Sequence, residues 1–124
     1  MGNMANVAGM NCFISGPMSG VENFNVGAFT DAHAKLKALE ASDIYDPALE
    51  WLLEPLDEQY EHEHYMLECI HELTRVDQNR EPYYDYLVQL DDWDYSDGAT
   101  TELVVAAACG IEVISIHDVE VGGE

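Results

Sequence analysis

The feature that most constrains this chain is the alternation of short apolar runs with stretches of helical periodicity. "NCFIS" (Asn11 to Ser15) runs into glycine, and "FNVGAFTDAHAKLKALEAS" follows with Phe29, Leu36 and Leu39 at helical spacing and Asn25 as a candidate cap. "DIYDP" reads as a second short strand closed by Pro47, and "ALEWLLEPL" as a loop or short helix broken at Pro55. From about Glu58 to Arg75, the residues Tyr60, Met66, Leu67, Ile70 and Leu73 mark an amphipathic helix. "YLVQL" (Tyr86 to Leu90) is the next strand and "DDWDYSDG" a turn-rich loop. "ATTELVVAAACG" is a small-residue helix stopping at Gly110, and "IEVISI" is the last strand. Strands separated by helices, with apolar strand cores, specify a parallel sheet covered on both faces. The expected fold is a single small doubly wound α/β domain, flavodoxin- or Rossmann-like.

A chain of 124 residues is the length of one ordinary domain with one core. One domain over 1–124 is expected, with flexible tails at 1–10 and 118–124. Cys12, Cys69 and Cys109 are scattered, and no pair has metal-site spacing, which reads as a reduced cytoplasmic protein. The first eleven residues carry no Lys or Arg and no apolar run of signal-peptide length, and nothing approaches the roughly 18 apolar residues of a membrane span. A soluble, intracellular protein with no membrane partner is expected. The formal charge of −21 is far more than solubility requires and repels polyanions, so nucleic-acid backbones are disfavoured as partners. An anionic small molecule would have to be held by local backbone donors against that field.

In such sheets the ligand crevice lies beyond the carboxyl ends of the strands. Two segments fall there. The loop of Gly16, Pro17, Ser19 and Gly20 brings backbone amides near a ligand, because glycine has no Cβ to hold a sugar or phosphate away; a plain tight turn accounts for the same residues. The loop "WDYSDGATTE" offers Trp93, Ser96, Gly98, Ala99 and Glu102. Ser96 or Asp97 is placed to cap the helix beginning near Ala99, which would turn free amides and the positive helix end toward the crevice as an anion site. Glu102, about one turn into that helix among small and apolar residues, is either an exposed first-turn acid or a nucleophile held among apolar neighbours, and spacing alone leaves both readings open. Trp93 stacks on a base or simply packs.

Two further clusters are weighed. "DQNREPYYDY" sets Arg80 beside Tyr83, Tyr84 and Tyr86, as a ligand flap or as a solvated loop whose tyrosines pack on the body. In "YEHEHYMLECIHE", His62 and His64 lie on different faces of a helix while His64 and Glu68 share one. The i, i+4 histidine pair of a zinc helix is missing, and a polar helix face without metal is expected.

Taken together, "FISGPMSG", "NFN" with "AF", "YDPALEW", "YM", "W..S.GA..E" and "ACGIEVI", in that order from about Phe13 to Ile116, resemble the nucleoside 2-deoxyribosyltransferase-like superfamily, and within it the small, mostly phage and bacterial DUF4406 branch. The resemblance implies cleavage or exchange of the N-glycosidic bond of a (deoxy)nucleoside or nucleoside 5′-monophosphate. No cofactor and no metal are implied, and a homodimer or larger homo-oligomer is. The family's catalytic glutamate falls on Glu102, which would attack the anomeric carbon and release the base; Ser96 would hold the 5′-hydroxyl or phosphate. Gly16 falls beneath the sugar, and Gly98 opens the nucleophile helix. Relatives often carry Tyr where this chain has Phe13. They also place one Asp on the helix before the third strand and another where that strand begins. Alignment through "YM" puts the helix position on Cys69, whereas alignment back from "YLVQL" puts the two on Asp77 and Asp85. The strand is the firmer anchor, so Asp77 is taken as the acid or base and Asp85 as substrate-binding. Two rival readings are a non-catalytic nucleotide sensor retaining the pocket, and an acidic phage-type protein acting on a host partner.

Overall fold

The computed structural model describes residues 5–18, 25–49 and 62–119. Ser19, Gly20 and the segment broken at Pro55, from Glu50 onward, lie outside the described residues.

Four parallel strands form one sheet: β1 (Asn11–Ser15), β2 (Asp43–Tyr45), β3 (Tyr86–Gln89) and β4 (Glu112–Ser115). Their order is β2-β1-β3-β4, so β1 and β3 are central. The chain leaves β1 toward β2 and then crosses back to place β3 on the other flank of β1. That reversal opens a crevice at the carboxyl ends of β1 and β3. Among the described residues the long helices are α1 (Val26–Ala38), α2 (His62–Leu73) and α3 (Asp97–Ala108). Short 3₁₀ turns occupy Trp93–Tyr95 and Ile116–Asp118. The doubly wound α/β expectation therefore describes the fold.

Strand alternation divides the core in two. Cys12, Ile14, Val88 and Leu90 face α1, whose stripe of Phe29, Ala32 and Leu36 covers them. Phe13 and Leu87 face the other way, packing with Cys69 and Leu73 of α2, Ala106 of α3, and Tyr84. Ser15 follows Phe13 by two positions and Gln89 follows Leu87 by two, so both are carried on the α2/α3 side, at the carboxyl end of the sheet. The buried face of α3 is built from Gly98, Ala99, Glu102 and Ala106. Three small residues let the helix lie close to the sheet, and the fourth residue of that stripe is an acid.

Several local details differ from the sequence reading. Asn25 stands at the N-cap position of α1 as expected but makes no side-chain cap bond: its backbone is left-handed (φ 62°), and its Nδ2 donates instead to the Pro17 carbonyl at 3.0 Å, tying the loop after β1 to the start of α1. Leu67 is 70% exposed, so it stands off the apolar stripe of α2. Among the described residues flanking the sheet, Val7 and Val119 are core residues and Ala5 pairs with Val119.

The end of α3 follows the expected stop. Gly110 adopts φ +80°, the Ile111 amide donates to the Ala106 carbonyl at 2.9 Å and the Gly110 amide to Ala107 at 3.3 Å, while Ala106 and Ile111 meet in the core. This is the Schellman closure. Nothing lies within 4 Å of where a Gly110 Cβ would stand, so a side chain there is opposed by backbone conformation alone. Gly110→Ala is expected to cost about 1 kcal/mol in urea unfolding; an unchanged midpoint would contradict the left-handed closure.

Candidate functional site

At the carboxyl end of β1 the Ser15 hydroxyl donates to Glu102 Oε1 at 2.6 Å. Both side chains are buried, with 1% and 5% exposure, so the acid points into the protein and not along the outer face of α3. The Cys69 thiol donates to the same carboxyl from α2. Removal from water outweighs these two donors and pushes the Glu102 pKa up to about 7. Glu102 is thus an acid near its own titration point at neutral pH, held by one strand and one neighbouring helix.

Gln89 is the register partner of Ser15 on β3. Its side chain is 8% exposed, and its Nε2 is buried with no hydrogen-bond partner.

On the α1 side of the same strand ends lies a cavity of about 760 Å³. Pro17, Asn25, Lys35, Tyr95, Ser96 and His117 are among its walls, and Glu102 is not. Ser96 caps α3 as expected, its Oγ accepting from the Ala99 amide at 3.1 Å. That amide is consequently used within the protein, while the Ser96 hydroxyl proton stays available to donate. The expected anion site is not supported by the charges. Asp31, Asp91 and Asp92 line the cavity, and Lys35 is the one of the chain's four Lys and Arg residues that does. Lys35 Nζ donates to the Ile116 carbonyl at 2.8 Å, and His117 Nε2 lies 2.7 Å from Asp91 Oδ1, so both basic groups already have partners.

The remaining sequence candidates separate into two groups. Gly98 and Ala99 are buried residues of the first turn of α3, just after its cap Ser96. Gly16 also adjoins the site, but its lack of a side chain serves Leu90: an added Cβ would stand 2.8 Å from Leu90 Cβ and 2.9 Å from Cδ1. Phe13 is fully enclosed, stacked on Tyr45 with centroids 4.9 Å apart and edge-on to Tyr84 at 5.6 Å, which makes it core. Trp93 is half-buried in its 3₁₀ turn and does not line the cavity; Tyr95, two residues on and 84% exposed, does.

The two aspartates require correction, since neither is brought to Glu102. Asp85 Oδ2 accepts from the Asn11 amide at 2.9 Å, at the amino ends of β1 and β3. Strand rise puts that point about 13 Å from Ser15. Asp77 sits in an exposed turn, where its Oδ1 accepts from the amides of Asn79 (2.7 Å) and Glu81 (3.0 Å). The helix residue that does meet Glu102 is Cys69, the position reached by the alignment through "YM".

Arg80 is exposed with a left-handed backbone (φ 64°) and forms no flap with the tyrosines. Tyr83 and Tyr84 pack on the body, with Tyr83 donating to Asp43 and Tyr84 to Glu72, while Arg75 lies 4.0 Å over the Tyr83 ring and 2.6 Å from Glu72. Among the described residues there is no cluster of three His, Cys, Asp or Glu placed to hold a metal, and no helix long and apolar enough to cross a membrane. Sequence reasoning missed Ser15, Gln89 and Tyr95. Gln89 was visible as the one polar residue inside an apolar strand, and Tyr95 as a second aromatic in the turn before α3.

The model of one family, described as "Domain of unknown function (DUF4406)", matches residues 10–115. No curated protein and no solved structure matches the chain.

Proposed function

The chain belongs to the DUF4406 family, and on that premise we propose that it cleaves or exchanges the N-glycosidic bond of a nucleoside, with Glu102 as nucleophile. The observation that carries this reading is the buried, inward-facing Glu102 carboxyl held by Ser15 at the crevice where the strand order reverses. The nucleoside would lie across the carboxyl ends of β1 and β3, its anomeric carbon at Glu102 and its 5′ end toward Ser96. The carboxylate forms a bond to the anomeric carbon as the bond to the base breaks; water then completes hydrolysis, or an incoming base completes exchange. The cavity's charge favours a neutral nucleoside over its 5′-monophosphate, because a phosphate would meet three aspartates and no uncommitted cation.

The test is base release from a panel of ribo- and deoxyribonucleosides and their monophosphates, with and without an acceptor base. Free base is expected, faster from the unphosphorylated compounds. Because the nucleophile must be ionised, kcat/KM should rise as pH passes about 7 and level off above it. A profile flat from about pH 5 to 9 would separate the reaction from Glu102. One observation favours a second reading, a binder without turnover: Asp77 and Asp85, the acids expected to assist, lie away from Glu102. Thermal stabilisation by nucleosides with no base release would support it.

A further inference from the structure

Buried amide donors in native proteins almost always have partners, so an orphaned one calls for an explanation. Gln89 Nε2 is such a donor. It sits on the central strand β3, in register with Ser15, the residue that holds Glu102. Adjacent strands lie about 4.8 Å apart, so the carboxamide starts one strand spacing from the anchor of the acid. The alternation of Leu87 into the α2/α3 core and Val88 and Leu90 into the α1 core places Gln89 on the Glu102 side. A Leu or Met of similar size would suit this apolar strand without leaving a polar atom stranded.

We infer that Gln89 is the residue that reads the sugar, its Nε2–H donating to the hydroxyl on the carbon next to the anomeric centre, so that the site takes ribonucleosides in preference to 2′-deoxyribonucleosides. This rests on the placement of the nucleoside's anomeric carbon at Glu102. A 2′-hydroxyl adjoins the attacked carbon and so comes nearest to a donor beside the acid. The same carboxamide can accept that hydroxyl's proton through its oxygen. A deoxy sugar leaves the donor as unpaired as in the free protein, and a site built to bond a hydroxyl rejects an analogue that lacks it.

The experiment compares wild type with Gln89→Leu and Gln89→Met in two measurements. In the first, the melting midpoint of the free protein is expected to rise by about 4 °C in both variants, because a stranded donor has been removed. A lower midpoint in both would make Gln89 a structural residue and overturn the proposal. In the second, matched ribo- and deoxyribonucleosides are compared by base release and, independently, by ligand-induced shift of the midpoint. Wild type should prefer the ribonucleoside, and the variants should lose about tenfold or more on it and little on the deoxynucleoside, so that the preference collapses. A preference that persists in the variants, or none in wild type, overturns the assignment while leaving base release and Glu102 untouched. Conversely, a ribo preference in binding that collapses in the variants without any base release would uphold Gln89 and dismiss the catalytic reading. If no nucleoside shifts the wild-type midpoint or releases base, both fall.

Discussion

Glu102→Gln is expected to fold and to lose base release by about a thousandfold or more. The amide keeps the shape of the side chain and can still accept from Ser15, but it offers no oxygen nucleophile to a sugar carbon. The same variant carries a signature in stability that a merely exposed acid would not show. Burial raises the Glu102 pKa from its ordinary 4.5 to about 7. Between those values the folded protein keeps a proton that the unfolded chain has released, so the contribution is fully present below about pH 4.5 and drains as pH rises to about 7. Relative to Glu102→Gln, which does not titrate, wild type should lose about 3 kcal/mol of folding stability between pH 4 and pH 8. Urea unfolding at the two pH values measures the difference directly. Parallel stability–pH curves would mean that the acid is not desolvated as described.

Gly16→Ala is expected to destabilise the protein by about 2 to 3 kcal/mol, within the range for forcing extra volume into a packed core. The new Cβ would lie 2.8 Å from Leu90 Cβ, 2.9 Å from Cδ1 and 3.0 Å from Cγ. The closest of these atoms does not move with the side-chain torsions, so rotating Leu90 cannot clear the contact and the strand end must shift. Leu90→Ala in the same chain removes Cγ and Cδ1 but keeps Cβ, and should therefore recover only part of the loss. A double-mutant cycle reads that coupling. Because Ser15 precedes Gly16, the displacement would also loosen the hold on Glu102, and activity should fall more than the folded fraction does. A Gly16→Ala protein of wild-type stability would show that the turn has room, as the ligand-facing reading of this glycine assumed.

The alternation of apolar strands and periodic helices was enough to specify the parallel sheet, because each element buries a continuous apolar face that only a covered sheet can accept. The stop of α3 at Gly110 and its start at Ser96 were legible because they are chemistry between residues close in the chain. What escaped was long-range. The contact between Ser15 and Glu102 joins positions 87 apart, and no local pattern encodes it. Asp85 was misplaced although its strand was correctly found. A residue just before a parallel strand lies at the amino end of the sheet, and the crevice is at the other end. Gly16 was seen as small, but whether the space goes to a ligand or to Leu90 depends on a residue from the neighbouring strand. Cys69 emerged as the helix partner of Glu102 because the third dimension decides between the alignment through "YM" and the alignment back from "YLVQL".

Glu102 as nucleophile is tested most directly by acid-quenching the protein during turnover of a nucleoside and weighing it intact, then locating any added mass by peptide mapping. The expected result is one pentosyl group, joined as an ester to the peptide containing Glu102 and missing from Glu102→Gln. Base release without that adduct, an adduct on another side chain, or no base release from any nucleoside offered would contradict the assignment.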